Sequence, residues 1–176
     1  MTPEDHDIID KKHAQKHFNS CPTSMVEMLL KLKRAVPDTY SELQDDDPTG
    51  KEGVGHLVNA KLAGNWTARR IPAGDWEFPL VDIKAKLAAG EPVGIVENPE
   101  NAYAHGWIVT AVKTNAAGEE EVHLKSKYSE DGSGSGKKSV PMVVKPINNT
   151  LQRADQIEHA EGKADRHWFA PIVADA

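Results

Sequence analysis

The chain has 176 residues, enough for one domain with a sizeable core and too few for two comfortable ones. Its 21 lysines and arginines face 27 aspartates and glutamates, a formal net charge of -6 interspersed along the chain, which argues against a dedicated nucleic-acid surface. No run approaches the ~20 apolar residues of a membrane span, Met1-Thr2-Pro3-Glu4-Asp5 lacks the basic-then-apolar order of an export signal, and a single cysteine leaves no internal disulfide framework. The expectation is a cytoplasmic protein, or one exported by a non-Sec secretion system, since delivery by a dedicated machine leaves the same sequence.

Residues 1–14 are polar apart from Ile8-Ile9 and read as an arm beside the first long helix. That helix is expected from about Pro22 to Ala35. Ser20 or Cys21 caps it, Pro22 suits the first turn, Val26, Met28, Leu29, Leu30 and Leu32 have the spacing of an apolar face, and Pro37 stops it. Ser41 to Gly50 reads as an acidic loop. Val54 to Leu62 has helical spacing before Gly64, Trp66 to Ile71 suits a short strand, and Pro79 to Leu87 reads as a second amphipathic helix ended by Gly90.

From Val93 the pattern changes to strands. Val93–Val96, Trp107–Val112 and Val122–Leu124 are apolar or alternating runs between turn residues, and Asn115-Ala116-Ala117-Gly118 joins the last two as a hairpin. Residues 129–138 form a Gly/Ser-rich flexible loop by composition, Ser139–Val144 suits a further strand, and Asn148–Ala164 is polar and compatible with helix. Helix first and sheet later is the α+β order, in a single domain over residues 1–176.

The lone Cys21 stands at the head of the first long helix, where unpaired N–H groups and the helix dipole favour a thiolate. Gln15 precedes it by six residues. Far downstream come Ala89-Gly90-Glu91-Pro92-Val93 and then His105-Gly106-Trp107-Ile108-Val109. In order and approximate separation this set resembles the papain-like cysteine peptidase superfamily, most closely its small bacterial C39-like branch, over residues 10 to 128. The resemblance implies a nucleophile helix packed on an antiparallel sheet, with Cys21 attacking an amide carbonyl through a thioester, His105 moving the proton, and Gln15 donating to the oxyanion.

Ser126 falls where that family carries Asp or Asn. A serine accepts the imidazole N–H without supplying negative charge, so Ser126, Glu130 or Asp131 fills the orienting role, or the site is a Cys–His dyad. Pro22 stands where the family has glycine. The implied activity is a cysteine peptidase or amidase acting on a peptide, protein or peptidoglycan-type amide, in a bacterial effector or toxin among other settings. The alternative is a catalytically silent papain-like fold that binds peptides or proteins.

Other patterns carry less. His13 and His17 are four apart, but the glutamate of a metalloprotease helix and any cysteine cluster are missing, so no metal is expected. The Gly/Ser run after Asp131 lacks the Lys-Ser/Thr ending of a phosphate loop, and no cofactor is expected. Trp107 reads as core and His123 as exposed.

Overall fold

The computed structural model describes residues 1–16, 21–46, 66–70, 80–99, 105–127, 139–147, 150–153 and 167–175. The expected helix over Val54–Leu62, the Gly/Ser loop over 129–138, and Glu130 and Asp131 lie outside them. In chain order the elements are α1 (Pro3–Asp7), a π-helical turn (Ile8–Lys12), α2 (Cys21–Leu32), α3 (Glu42–Asp46), β1 (Thr67–Arg70), α4 (Leu80–Ala88), β2 (Gly94–Pro99), β3 (His105–Thr114), β4 (Glu120–Lys127), β5 (Ser139–Ile147), β6 (Thr150–Arg153) and β7 (His167–Asp175). The class is α+β. Among the described residues, no helix is long and apolar enough to cross a membrane.

The seven strands form one sheet in the order β1-β7-β2-β3-β4-β5-β6, with every described pairing antiparallel. Strand alternation sends successive residues to opposite faces. Val96 and Ile108 join Met25, Leu29 and the arm's Ile8 and Ile9 in one cluster, while Ile95, Trp107, Val109 and Leu124 join Ile83 of α4 in another. The sheet thus has α2 and the amino-terminal arm on one side and α4 on the other. This two-sided covering is why strands β2 and β3 read as nearly continuous apolar runs.

The arm is more ordered than its polar composition suggests. A capping box starts α1, with Thr2 Oγ1 accepting from the Asp5 amide and Asp5 Oδ2 accepting from the Thr2 amide. The adjacent Ile8 and Ile9 anchor it in the core. Helix α2 ends three residues earlier than expected, and Pro37 is not the cause. The chain turns left-handed at Arg34 (φ 57°), where the amides of Arg34 and Ala35 close on the carbonyls of Lys31 and Leu30. Arg34 recovers part of that backbone cost by pairing with Glu4 and Asp5 at 3.3 and 3.2 Å.

Two further differences concern the acidic stretch and the carboxyl-terminal third. Leu43 and Gln44 are buried, and they draw Glu42–Asp46 into a helical turn rather than a loop. Thr150–Arg153 pairs with β5 as a strand within the segment expected to suit helix, and β7 inserts between β1 and β2. The β3–β4 hairpin forms where the turn residues place it. The Asn115 side-chain oxygen accepts from the amides of Ala117 and Glu119, and Gly118 takes φ +79°.

At Gly94 the sheet comes close against α2. A β-carbon there would run into the Met25 side chain and lie 3.1 Å from Leu29 Cδ1. Gly94→Ala is expected to destabilise the fold by about 1 to 3 kcal/mol through overpacking. Urea denaturation checks this, and an unchanged midpoint would show that Met25 moves aside freely.

Candidate functional site

Helix α2 is buried along Thr23–Leu32, not only on its apolar face. Ser24, Glu27 and Lys31 form a polar stripe at i, i+3 and i+7, and each has a partner. His13 Nε2 lies 2.7 Å from Ser24 Oγ, and Lys31 Nζ lies 3.0 Å from His13 Nδ1. An ammonium only donates, so Nδ1 accepts, which leaves the ring proton on Nε2 for Ser24. Burial holds the His13 pKa well below its ordinary value, and the charges of Lys31 and Lys127 push in the same direction. His13 is therefore a neutral structural link in the core. Its expected companion His17 lies outside the described residues, and among those residues no group of three or more His, Cys, Asp or Glu side chains is arranged to hold a metal.

Glu27 anchors the second half of this network. Its Oε1 accepts from the Gln44 amide at 2.8 Å, and its Oε2 accepts from Gln44 Nε2 at 2.7 Å. The same Gln44 side chain donates to the Ala14 carbonyl at 3.1 Å and accepts from the Lys16 amide at 2.8 Å. Gln44 thus grips the backbone on both sides of Gln15. An exposed ion pair between Lys16 and Asp45 closes over the same junction.

Of the residues singled out in the sequence, the structure joins two pairs. The Gln15 side chain hydrogen-bonds the Cys21 thiol at the head of α2. His105 Nε2 lies 2.7 Å from Ser126 Oγ. Ser126 also lies 2.8 Å from the Gly106 carbonyl oxygen, to which its hydroxyl donates, so its oxygen accepts from the His105 Nε2–H. The His105 ring stands edge-on to Trp107, with centroids 4.7 Å apart. Trp107 itself is buried core.

The thiol departs from expectation. Burial pushes the Cys21 pKa above its ordinary 9.0, outweighing hydrogen bonds from Gln15 and the Cys21 backbone that act to lower it. Desolvation of the buried thiol outweighs the helix-terminus effect here. Alkylation of Cys21 is expected to follow an apparent pKa above 9, moving further up in Gln15→Leu. A midpoint near neutrality in the unmodified protein would contradict this balance.

The sequence singled out His13 only as a possible metal pair with His17, and it did not single out Glu27, Lys31 or Gln44. The available signal was the polar stripe itself, three hydrophilic residues recurring on one side of a helix otherwise rich in Met, Val and Leu. Nor is His123 simply exposed: it is half-buried, and its Nε2, withdrawn from solvent, has no hydrogen-bond partner among the described residues.

No family model matches the chain. It is similar to isocitrate lyase of Halalkalibacterium halodurans, 46% identical over 101 residues, covering 57% of this chain and 22% of that protein. It is similar to isocitrate lyase 1 of Mycobacterium tuberculosis, 42% identical over 131 residues, covering 70% of this chain and 28% of that protein. A bifunctional glyoxylate cycle protein of Caenorhabditis elegans is 43% identical over 77 residues, 42% of this chain and 7% of that protein. The chain therefore spans about a quarter of the length of the first two.

These relatives overturn the cysteine peptidase or amidase expectation and, with it, the peptide, protein or peptidoglycan-type substrate. The resemblance to C39-like peptidases rested on a handful of positions, whereas the similarity to isocitrate lyases extends over 82 to 131 residues. These relatives give the effector role and the peptide-binding alternative no support. The raised thiol pKa at Cys21 agrees with the correction, since it leaves the sulfur protonated near neutral pH.

Proposed function

We propose that this chain belongs functionally with the isocitrate lyases and acts on isocitrate, or on a closely related small hydroxy-polycarboxylate, as part of a lyase. The observation that carries this reading is the recurrence of one enzyme name among relatives at 42 to 46% identity. A cytoplasmic location belongs to the same reading, and a chain with one cysteine is in keeping with a reducing compartment. As to architecture, we propose a papain-like layout, supported by a buried helix leading into an antiparallel sheet; it carries no peptidase assignment.

The test is direct. Purified chain is incubated with isocitrate, and its disappearance is followed by proton NMR, with binding measured in parallel by calorimetry. Saturable binding with catalytic loss of isocitrate is the expected result. Absence of both at near-stoichiometric protein would overturn the reading.

A further inference from the structure

The amino-terminal arm supplies none of the seven strands, yet it reaches the core at Ile8 and Ile9 and again at His13. Its outer ties are exposed ion pairs, Asp5 with Arg34 at 3.2 Å, Lys12 with Asp38 at 3.1 Å, and Lys16 with Asp45. Pairs of this kind hold little. The π-helical turn Ile8–Lys12 that leads into His13 has no side-chain cap. The arm is thus fastened chiefly by what it buries, and of the buried groups only His13 ionises.

The ring of His13 is enclosed by donors and cations. Lys31 Nζ of α2 donates to its Nδ1 at 3.0 Å, and its Nε2 lies 2.7 Å from Ser24 Oγ. From β4, the buried Lys127 adds a second positive charge toward the ring. The acids of this region act on the lysines: Glu27 and Asp38 on Lys31, and Asp10 on Lys125 and Lys127. Asp10 also accepts from Ser139 Oγ at 2.6 Å. A second ring proton would turn the Nδ1 acceptor into a donor aimed at an ammonium 3.0 Å away, and would leave the added charge buried. Falling pH also removes the anion behind Lys31, because the Glu27 carboxylate takes up its proton at about 7.

We infer that the fold carries an acid-triggered release of its amino-terminal arm, in which protonation of His13 between Lys31 and Lys127 expels the ring and frees the arm from α2 and the sheet. Release is local, because strand pairing does not run through the arm. It exposes Ile8 and Ile9 and withdraws Gln15 from the Cys21 thiol. In the closed arm burial, with Lys31 and Lys127, holds the His13 pKa well below 6.5, and opening returns it toward that value. The opening constant is therefore flat above 6.5 and rises by up to about tenfold per pH unit below it, as far as the closed-state pKa. Asp5 and Asp10, both lowered from 3.8, titrate below this range. His6 of α1, its Nδ1 3.4 Å from Lys125 Nζ, is the competing imidazole on the arm.

The test is amide hydrogen exchange of the full chain, followed by NMR between about pH 7 and 4.5, with each rate divided by its intrinsic rate at that pH. The His13 amide, bonded to the Ile8 carbonyl at 2.9 Å, reports the arm, and the Val109 amide, bonded to the Val93 carbonyl at 2.9 Å, reports the sheet. Protection of His13 is expected to fall by about tenfold or more across this range while that of Val109 holds. His6→Gln should keep that fall. His13→Gln, which cannot ionise, should abolish it. Lys31→Met, which removes the nearer cation while leaving His13 able to titrate, should make the fall several-fold smaller and serves even if His13→Gln leaves the arm open at every pH. Protection that persists to the acid end, a loss shared by Val109, a fall abolished by His6→Gln, or one unchanged in His13→Gln or Lys31→Met would each overturn the release.

Discussion

Gln44→Leu is expected to destabilise the fold by about 3 kcal/mol or more, the cost typical of stripping a buried charge of its partner. Leucine matches the side chain in size but removes both ends of its amide. Glu27 loses the Nε2 donor at 2.7 Å, the Ala14 carbonyl loses its donor at 3.1 Å, and the Lys16 amide loses its acceptor at 2.8 Å. Among the described residues, Glu27 keeps the hydrogen bond from the backbone amide of residue 44 and the more distant charge of Lys31. The backbone on either side of Gln15 is then held by fewer hydrogen bonds, so the burial of the Cys21 thiol should relax and its alkylation accelerate. Guanidinium denaturation supplies the stability difference. Glu27→Leu in the Gln44→Leu background should recover part of the loss, because an apolar pair leaves less polarity stranded than a lone carboxylate. Strictly additive losses would mean that the two side chains do not depend on each other.

The way this network escaped a reading of the sequence shows what pattern can and cannot deliver. Helix α2, α4, the β3–β4 hairpin and the apolar faces of β2 and β3 were legible, because period and turn chemistry are local properties. His13, Glu27, Lys31 and Gln44 are brought together over separations of up to 31 residues, and nothing local distinguishes Gln44 in an acidic run from a solvated glutamine. Strand β7 was missed for a related reason. Its place between β1 and β2 depends on pairing with segments about 100 and 70 residues earlier. Ser126 was singled out beside His105 only through the position that the resemblance to C39-like peptidases implied, not through a local pattern. The state of Cys21 was not, since the helix-terminus argument omits the burial that decides it. The functional assignment failed most completely, because four short motifs outweighed the unread remainder of the chain.

Glu27 should also make stability depend on pH in a direction opposite to that of an ordinary paired carboxylate. Its two hydrogen bonds from Gln44 and the charge of Lys31 favour ionisation, but burial outweighs them, with Asp45 adding repulsion, and the pKa rises from 4.5 to about 7. The unfolded chain, with the lower pKa, holds fewer protons between those values, so stability falls as pH rises from 4.5 to 7 and levels off above. The shift corresponds to about 3 kcal/mol. His13 acts in the opposite sense: its lowered pKa makes the folded state lose stability as pH falls below 6.5. Lys31, also lowered, acts in the range below 10.5. The Glu27 contribution is therefore isolated as the difference between the wild-type profile and that of Glu27→Gln. In that variant the new amide NH₂ competes with Gln44 Nε2, which cannot rotate because Ala14 and Lys16 hold it. A constant loss is expected at every pH, together with disappearance of the slope between 4.5 and 7. Parallel profiles would instead mean that the Gln44 donors and Lys31 win, and that Glu27 is as acidic folded as unfolded.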